Sequence, residues 1–222
     1  MLQPSTIKFL KDLKKNNNKP WFEKNRSKYE NARADFATFI QAVIDQLGKK
    51  DASINNLVAK DCMFRINRDV RFAKDKSPYK SNFGASINKG GRKADSTAGY
   101  YFHLSPGSSF MGGGIWMPSP DALKRLRQEI DYNFADFKKI IDAKKFKATY
   151  GDFNKEKEYT LSRVPKGYET DNPAAEYLKM KSYVAITAIK DADLTSKDLV
   201  KKTVTAFEVL QPVIEFVNKG IE

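Results

Sequence analysis

The side chains best suited to chemistry are concentrated in one segment, RINRDVRFAKDKSPYK, which covers residues 65–80. It contains Arg65, Arg68 and Arg71, three of only nine arginines in the chain. An arginine guanidinium is planar and donates paired hydrogen bonds, which suits it to carboxylate and phosphate groups better than lysine. The segment is therefore the first candidate for a site that binds an anion.

The positive charge of the chain is also concentrated around this segment. The net charge is +13, and residues 60–93 carry ten basic and three acidic side chains, a net charge of +7. Residues 94–222, in contrast, carry 19 basic and 18 acidic side chains. A positive surface along the whole chain would spread its charge more evenly. The asymmetry favours a compact positive site.

The first hypothesis is a site for a small phosphorylated or carboxylated ligand. In such a site the guanidinium and ammonium groups surround the anion, and Tyr79 supplies a hydroxyl at its edge. If the protein is an enzyme, the candidate catalytic residues are His103, Asp69 and Tyr79. The candidate ligand-binding residues are Arg65, Arg68, Arg71, Asp75, Lys76 and Tyr79.

The alternative hypothesis is nucleic-acid binding. It rests on the net charge of +13 and on aromatic residues that are interleaved with the basic side chains. No known recognition motif accompanies these features, so this hypothesis ranks second. The aromatic residues concerned are Tyr79, Phe83, Tyr100 and Tyr101.

A third hypothesis treats the segment as structural. If residues 62–72 form one strand, alternation places Arg68 on the apolar face. A buried guanidinium needs a carboxylate partner or a cavity, unless a bulge turns its side chain away. Ion pairs from Arg68 to Asp75 or from Arg71 to Asp69 would then staple a hairpin. The protein would be a structural or interaction module, and its oligomeric state is left open.

No cofactor and no metal site are predicted. A single histidine and a single cysteine cannot build a structural zinc site, and the chain contains no phosphate-binding loop motif. The three glycines at 112–114 lie inside a strand pattern and open no helix, so they are not a dinucleotide fingerprint. Glycines in a strand favour a bulge or a close approach of two backbones.

Around the arginine segment, short β-rich runs alternate with turns, which predicts an antiparallel meander. In such a meander the loop 73–80 and the turn 105–109 lie at the same end of the sheet. This arrangement brings His103 near the arginine segment. The predicted strands are 62–72, 81–87, 99–105, 110–117 and 182–189.

Periodic apolar residues predict helices before and after the sheet. The first helix covers 4–15 with Ser5 as its cap, and a second runs from Pro20 to Gly48. The last helix begins at Thr195 and contains a proline that can kink it. The fold class is α+β: a mostly antiparallel meander over about 62–117, plus a strand near 182–189, packed by N-terminal and C-terminal helices. The length suits a single domain, 1–222.

The composition favours a cytoplasmic protein. A single cysteine excludes an intrachain disulfide, which is typical of a reducing compartment. No run approaches the roughly 20 apolar residues of a membrane span, and the first residues lack the features of a signal peptide. We therefore expect no membrane partner.

The arginine segment resembles the signature R-x-x-R-D-x-R-F-x-x-x-[DN]-K-x-x-Y of a conserved hypothetical family, domain of unknown function 2461. The run YFHLSPG and the later GGGIW are also similar to that family. The resemblance covers essentially the whole chain and implies no activity, substrate or cofactor. It implies that the segment is one unit. The signature positions are filled by Arg65, Arg68, Asp69, Arg71, Phe72, Asp75, Lys76 and Tyr79, and the early match by Asn17, Asn18, Trp21 and Phe22.

Overall fold

The fold is α+β, as predicted, and consists of helices packed against one four-stranded antiparallel sheet. The computed structural model describes residues 1–93 and 97–222. The strands are β1 (Phe83–Ile87), β2 (Gly99–Leu104), β3 (Phe110–Ile115) and β4 (Tyr183–Ala188), and they lie in the order β1-β2-β3-β4. The helices are α1 (Pro4–Lys15), α2 (Lys19–Lys24), α3 (Arg26–Leu47), α4 (Ala59–Cys62), α5 (Pro120–Tyr132), α6 (Phe134–Ile141), α7 (Lys144–Tyr150), α8 (Ala175–Leu178) and α9 (Leu199–Ile221).

The prediction of a first strand over 62–72 is wrong, because the sheet begins at Phe83. The backbone of this region pairs only at isolated bridges, from Met63 to Ala85 and from Asn67 to Tyr79. Beyond the second bridge, aspartate side chains accept hydrogen bonds from nearby backbone amides. Such local bonds compete with a strand ladder and favour turns. The arginine segment is therefore a bridged loop and not a strand.

Helix boundaries differ from the predictions where polar side chains compete for backbone groups. The long helix predicted from Pro20 is interrupted at Asn25, whose side-chain amide donates to the Trp21 carbonyl at 2.9 Å. Ser5 does not cap α1, because Gln3 holds the N-cap position and its N–H donates to the Asp35 carboxylate. The last helix begins at Leu199, four residues beyond the predicted Thr195, and it does contain Pro212.

The chain divides into two compact units. The first contains 1–92, 101–111 and 188–205, and the second contains 93–100, 112–187 and 206–222. The arginine segment and His103 both belong to the first unit. The organisation as a single domain over 1–222 stays a prediction.

The core of the first unit fixes one face of β2. Phe102 is fully buried and packs edge-to-face on Phe39 of α3, with ring centroids 4.7 Å apart. Phe36, one helical turn earlier, stacks on Phe83 of β1 at 5.5 Å. Tyr101 and His103 flank Phe102 in β2. Because side chains alternate along a strand, these two side chains must lie on the opposite face of the sheet.

In the second unit, the glycine run of β3 allows two backbones to approach closely. A Cβ at Gly114 would overlap the carbonyl oxygen of Tyr183 in β4, and a Cβ at Gly112 would overlap that of Ala185. Gly114 also has a φ of +122°, which side-chain-bearing residues rarely adopt. The close approach predicted for these glycines is confirmed. Among the described helices, none has the length and continuous apolar sequence needed to cross a membrane.

Candidate functional site

Arg68 and Asp75 form an ion pair that closes the loop of the arginine segment. The same carboxylate accepts hydrogen bonds from the Ser77 hydroxyl at 2.5 Å and from the Ser77 backbone N–H at 2.8 Å. These Ser77 hydrogen bonds, and then the Arg68 guanidinium, hold the pKa of the Asp75 carboxyl well below its usual range. Asp75 is thus an acceptor within the loop, and Arg68 is its dedicated partner.

Arg71 is also engaged inside the loop. Its Nε and Nη2 donate to the two carboxylate oxygens of Asp69 at 3.0 and 2.7 Å, and these bonds lower the pKa of Asp69. Lys76 donates to the carbonyl oxygen of Val70 at 3.0 Å. The pairs Arg68–Asp75 and Arg71–Asp69 are those named by the structural hypothesis. Three predicted ligand-binding cations therefore serve the loop itself.

Tyr79 lies in the core and not at the edge of an anion pocket. Its side chain is 6% exposed and stacks on Phe22 of α2 with centroids 3.9 Å apart. The Asn17 side chain brackets its backbone, accepting from the Tyr79 N–H at 3.1 Å and donating to the Tyr79 carbonyl at 2.8 Å. Burial raises the pKa of the Tyr79 phenol. The ring is a packing element.

Arg65 and Lys80 are neighbouring cations without a carboxylate partner in the described part of the chain, and we call them the cation pair. Arg65 is exposed, and neither residue has an ion pair within 4 Å among the described residues. A backbone hydrogen bond of 2.7 Å from Lys80 to Ile66 holds them near each other. Burial, and then the charge of Arg65, lower the pKa of the Lys80 ammonium. The positive charge of Arg65 also lowers the pKa of the Asp69 carboxyl, but that carboxylate is already paired with Arg71.

His103 belongs to a row of rings next to the cation pair. Its Nδ1 lies 3.1 Å from the Tyr101 hydroxyl, and its ring stacks on Phe110 with centroids 4.6 Å apart. Tyr101 in turn meets the edge of Phe64, the residue before Arg65, at 6.3 Å. Burial lowers the pKa of His103 and raises that of Tyr101 to about 12. We call Phe64, Tyr101, His103 and Phe110 the aromatic row.

Sequence reasoning missed Lys80, Phe64, Phe110 and the position of Phe72. In the predicted strand 62–72, alternation places Phe64 on the same apolar face as Arg68, yet Phe64 is 38% exposed, and the Lys80 ammonium lies 5.4 Å from its ring centroid. Phe72 is 97% exposed, with the Arg71 guanidinium 6.0 Å from its ring centroid. The consecutive rings of β2, read with the alternation of side chains along a strand, were the available signal for the aromatic row. In the described part of the chain, no cluster of three His, Cys, Asp or Glu side chains could hold a metal ion.

Replacing Asp75 with alanine is expected to loosen the loop without unfolding the protein. The variant loses the acceptor for the Ser77 amide and the partner of Arg68 at once. We expect amide hydrogen exchange at Ser77 to become about tenfold faster or more, because that amide then opens to solvent locally. The matched control is Asp61→Ala, an exposed aspartate outside the loop. Equal exchange rates in the two variants would contradict the structural role.

The same contacts predict a pH dependence for the loop. The folded-state pKa of Asp75 lies below its ordinary value of 3.8. Its contribution to loop order is therefore fully present above that ordinary value and is lost as the pH falls through the lowered pKa. Amide hydrogen exchange can be measured between about pH 2 and 6, roughly the range over which carboxyl groups titrate. We expect the protection of the Ser77 amide to fall only at the acid end of this range.

Comparisons with known proteins give one match. A family model described as "Conserved hypothetical protein (DUF2461)" matches residues 5–216, which is nearly the whole chain. The resemblance carried by the arginine segment is thereby confirmed. Neither the curated proteins nor the solved structures contain a match to this chain.

Proposed function

We propose a function for a chain that belongs to the DUF2461 family of conserved hypothetical proteins, whose description assigns no activity. In this proposal the protein binds a small phosphorylated or carboxylated ligand at the cation pair, Arg65 and Lys80. One observation carries it: these two neighbouring cations have no carboxylate partner within 4 Å in the described residues, whereas Arg68 and Arg71 do.

The electrostatics of Lys80 support an anion at this position. Its ammonium is partly buried and is repelled by Arg65, and both effects lower its pKa. An anion between the two groups would compensate both charges and accept hydrogen bonds from each. Binding would then raise the pKa of Lys80. By linkage, affinity should be highest while Lys80 is protonated and should fall as the pH rises through its pKa.

Arg68, Arg71, Asp75 and Lys76 have a supporting role in this proposal. Their mutual contacts hold the loop in one conformation, and a preorganised loop loses less entropy when a ligand binds. Catalysis is not part of the proposal. Of the candidate catalytic groups, Asp69 is bound by Arg71 and Tyr79 packs in the core.

Arg65→Ala tests the proposal. We expect the variant to bind inorganic phosphate about tenfold more weakly or worse, because one charge-assisted hydrogen-bonding group is lost. Its melting temperature should equal that of the wild type, because Arg65 is exposed and has no ion pair within 4 Å among the described residues. Phosphate titrations followed by NMR chemical shifts at fixed ionic strength give the affinity.

The matched control is Arg125→Ala, which removes an exposed arginine from α5 in the second unit. It changes the net charge by the same amount and should leave the phosphate affinity unchanged. If both variants lose affinity equally, phosphate responds to net charge alone and the cation pair is not a site. Unchanged affinity in Arg65→Ala would have the same consequence.

A further inference from the structure

The first unit carries almost all of the excess positive charge of the protein. It contains 24 basic and 12 acidic residues, a net charge of +12, whereas the second unit contains 16 basic and 15 acidic residues. The cation pair is thus embedded in a strongly positive unit. Such a unit attracts extended polyanions over distances greater than one contact.

The aromatic row supplies planar surface next to the cation pair. Tyr101 and His103 lie on the sheet face opposite the buried Phe102, and both are partly exposed. Phe110 of β3 is also partly exposed and contacts both His103 and Tyr101, with centroids 4.6 and 5.8 Å apart. The row therefore offers a group of neighbouring rings beside the cation pair.

Gly84 of β1 leaves room for the Tyr101 ring. A Cβ at this position would lie 2.6 Å from the Tyr101 hydroxyl oxygen, so any larger residue would displace that ring. The glycine therefore allows the Tyr101 ring its position between Phe64 and His103.

We infer that the anion bound at the cation pair is a phosphate of single-stranded nucleic acid, with its bases placed against the aromatic row. This inference rests on the proposed function, because it uses the same two cations. Unpaired bases stack on aromatic side chains with little dependence on sequence, and a positive surface follows their phosphates. A duplex hides its base faces within its own stack, so it could use the charge but not the rings.

A single nucleotide fits these observations less well than a strand. One base covers about one ring, whereas the row contains four rings: Phe64 lies 6.3 Å from Tyr101, and Tyr101, His103 and Phe110 lie 4.6–6.0 Å from one another. A net charge of +12 on one unit also exceeds what one phosphate requires. We therefore expect affinity to rise with strand length.

The test compares four probes on the full chain: inorganic phosphate, uridine monophosphate, a 5′-labelled oligo(dT) of about 12 nucleotides, roughly one OB-fold-sized site, and a duplex of the same length. Fluorescence anisotropy, with the unlabelled probes as competitors, gives the affinities. We expect the single strand to bind at least about tenfold more tightly than the mononucleotide and the duplex. Its affinity should fall steeply with increasing salt.

Phe110→Ala separates the two proposals. We expect it to weaken oligonucleotide binding by about tenfold through lost stacking while leaving phosphate affinity unchanged, because the Phe110 ring contacts Tyr101 and His103, whereas Lys80 lies over Phe64. The control is Tyr132→Ala, which removes a ring that is 74% exposed in the second unit. That variant should bind both probes as the wild type does. Circular dichroism verifies that each variant is folded.

Each outcome has a distinct meaning. If phosphate binds in an Arg65-dependent manner but the oligonucleotide binds no more tightly than the mononucleotide, the strand inference is overturned and the anion site stands. A duplex that binds as tightly as the single strand, or a Phe110→Ala variant with full oligonucleotide affinity, also overturns it. Loss of the Arg65 dependence of phosphate binding would instead remove the proposed function.

Discussion

Tyr79→Ala is expected to lower the free energy of unfolding by about 3–5 kcal/mol, the range for deleting a large buried ring. The Tyr79 ring is almost fully buried and stacks on Phe22 at 3.9 Å. Its removal would leave a cavity between α2 and the loop that Asn17 anchors. Tyr79→Phe keeps the ring and should leave both stability and phosphate affinity nearly unchanged.

Urea denaturation of the wild type, Tyr79→Ala and Tyr79→Phe measures the effect on stability. Phosphate titration of the same proteins measures the effect on the anion site. Tyr132→Ala is the control for stability, because its ring is 74% exposed and its loss should cost less than about 0.5 kcal/mol. The result that would contradict a packing role for Tyr79 would come from Tyr79→Phe. If that variant kept its stability but lost phosphate binding, the hydroxyl would belong to the site and our placement of Tyr79 in the packing core would be incomplete.

Local patterns were sufficient to predict much of the fold. The apolar spacing of 4–15 gave the bounds of α1, and turn residues on each side isolated β1, β2 and β3. In these elements local preference and tertiary packing agree, which is the condition for reading structure from sequence. The 62–72 prediction failed because alternation of side chains says nothing about whether a partner strand pairs along the full length.

The candidate site likewise contains some contacts that the sequence could predict and others that it could not. The pairs Arg71–Asp69 and Arg68–Asp75 join residues two and seven positions apart, so their partners could be named from the sequence. The core position of Tyr79 depends on Asn17, in the connection between α1 and α2, and on Phe22 of α2. No local pattern contains that information.

The cation pair could not be identified from the sequence, for a related reason. A cation counts as uncompensated only when every acid near it in space is already engaged, and this is a property of the folded unit. Arg65 was one of several equivalent arginines in the sequence, and Lys80 was one of many lysines. Arg68, Arg71 and Lys76 are engaged within the loop, and the fold brings Arg65 and Lys80 close to each other.

Gly114→Ala is expected to destabilise the protein by about 3 kcal/mol or more, through overlap and backbone strain together. The new methyl group would meet the Tyr183 carbonyl oxygen, a backbone atom of β4 that cannot turn aside as a side chain can. The φ of +122° adds a conformational penalty for any residue with a Cβ. The separation of β3 and β4 would have to increase, at the expense of their hydrogen bonds.

Gly151→Ala separates the two contributions. Gly151 has a φ of +72°, but no atom lies within 4 Å of the position its Cβ would take. That variant should therefore show a conformational penalty without overlap, about 1–3 kcal/mol. Urea denaturation of both variants gives the difference in stability, in which we expect the overlap at Gly114 to dominate. If the two variants were equally stable, β3 and β4 would tolerate a methyl group between them, and the glycine run would need an explanation other than close backbone approach.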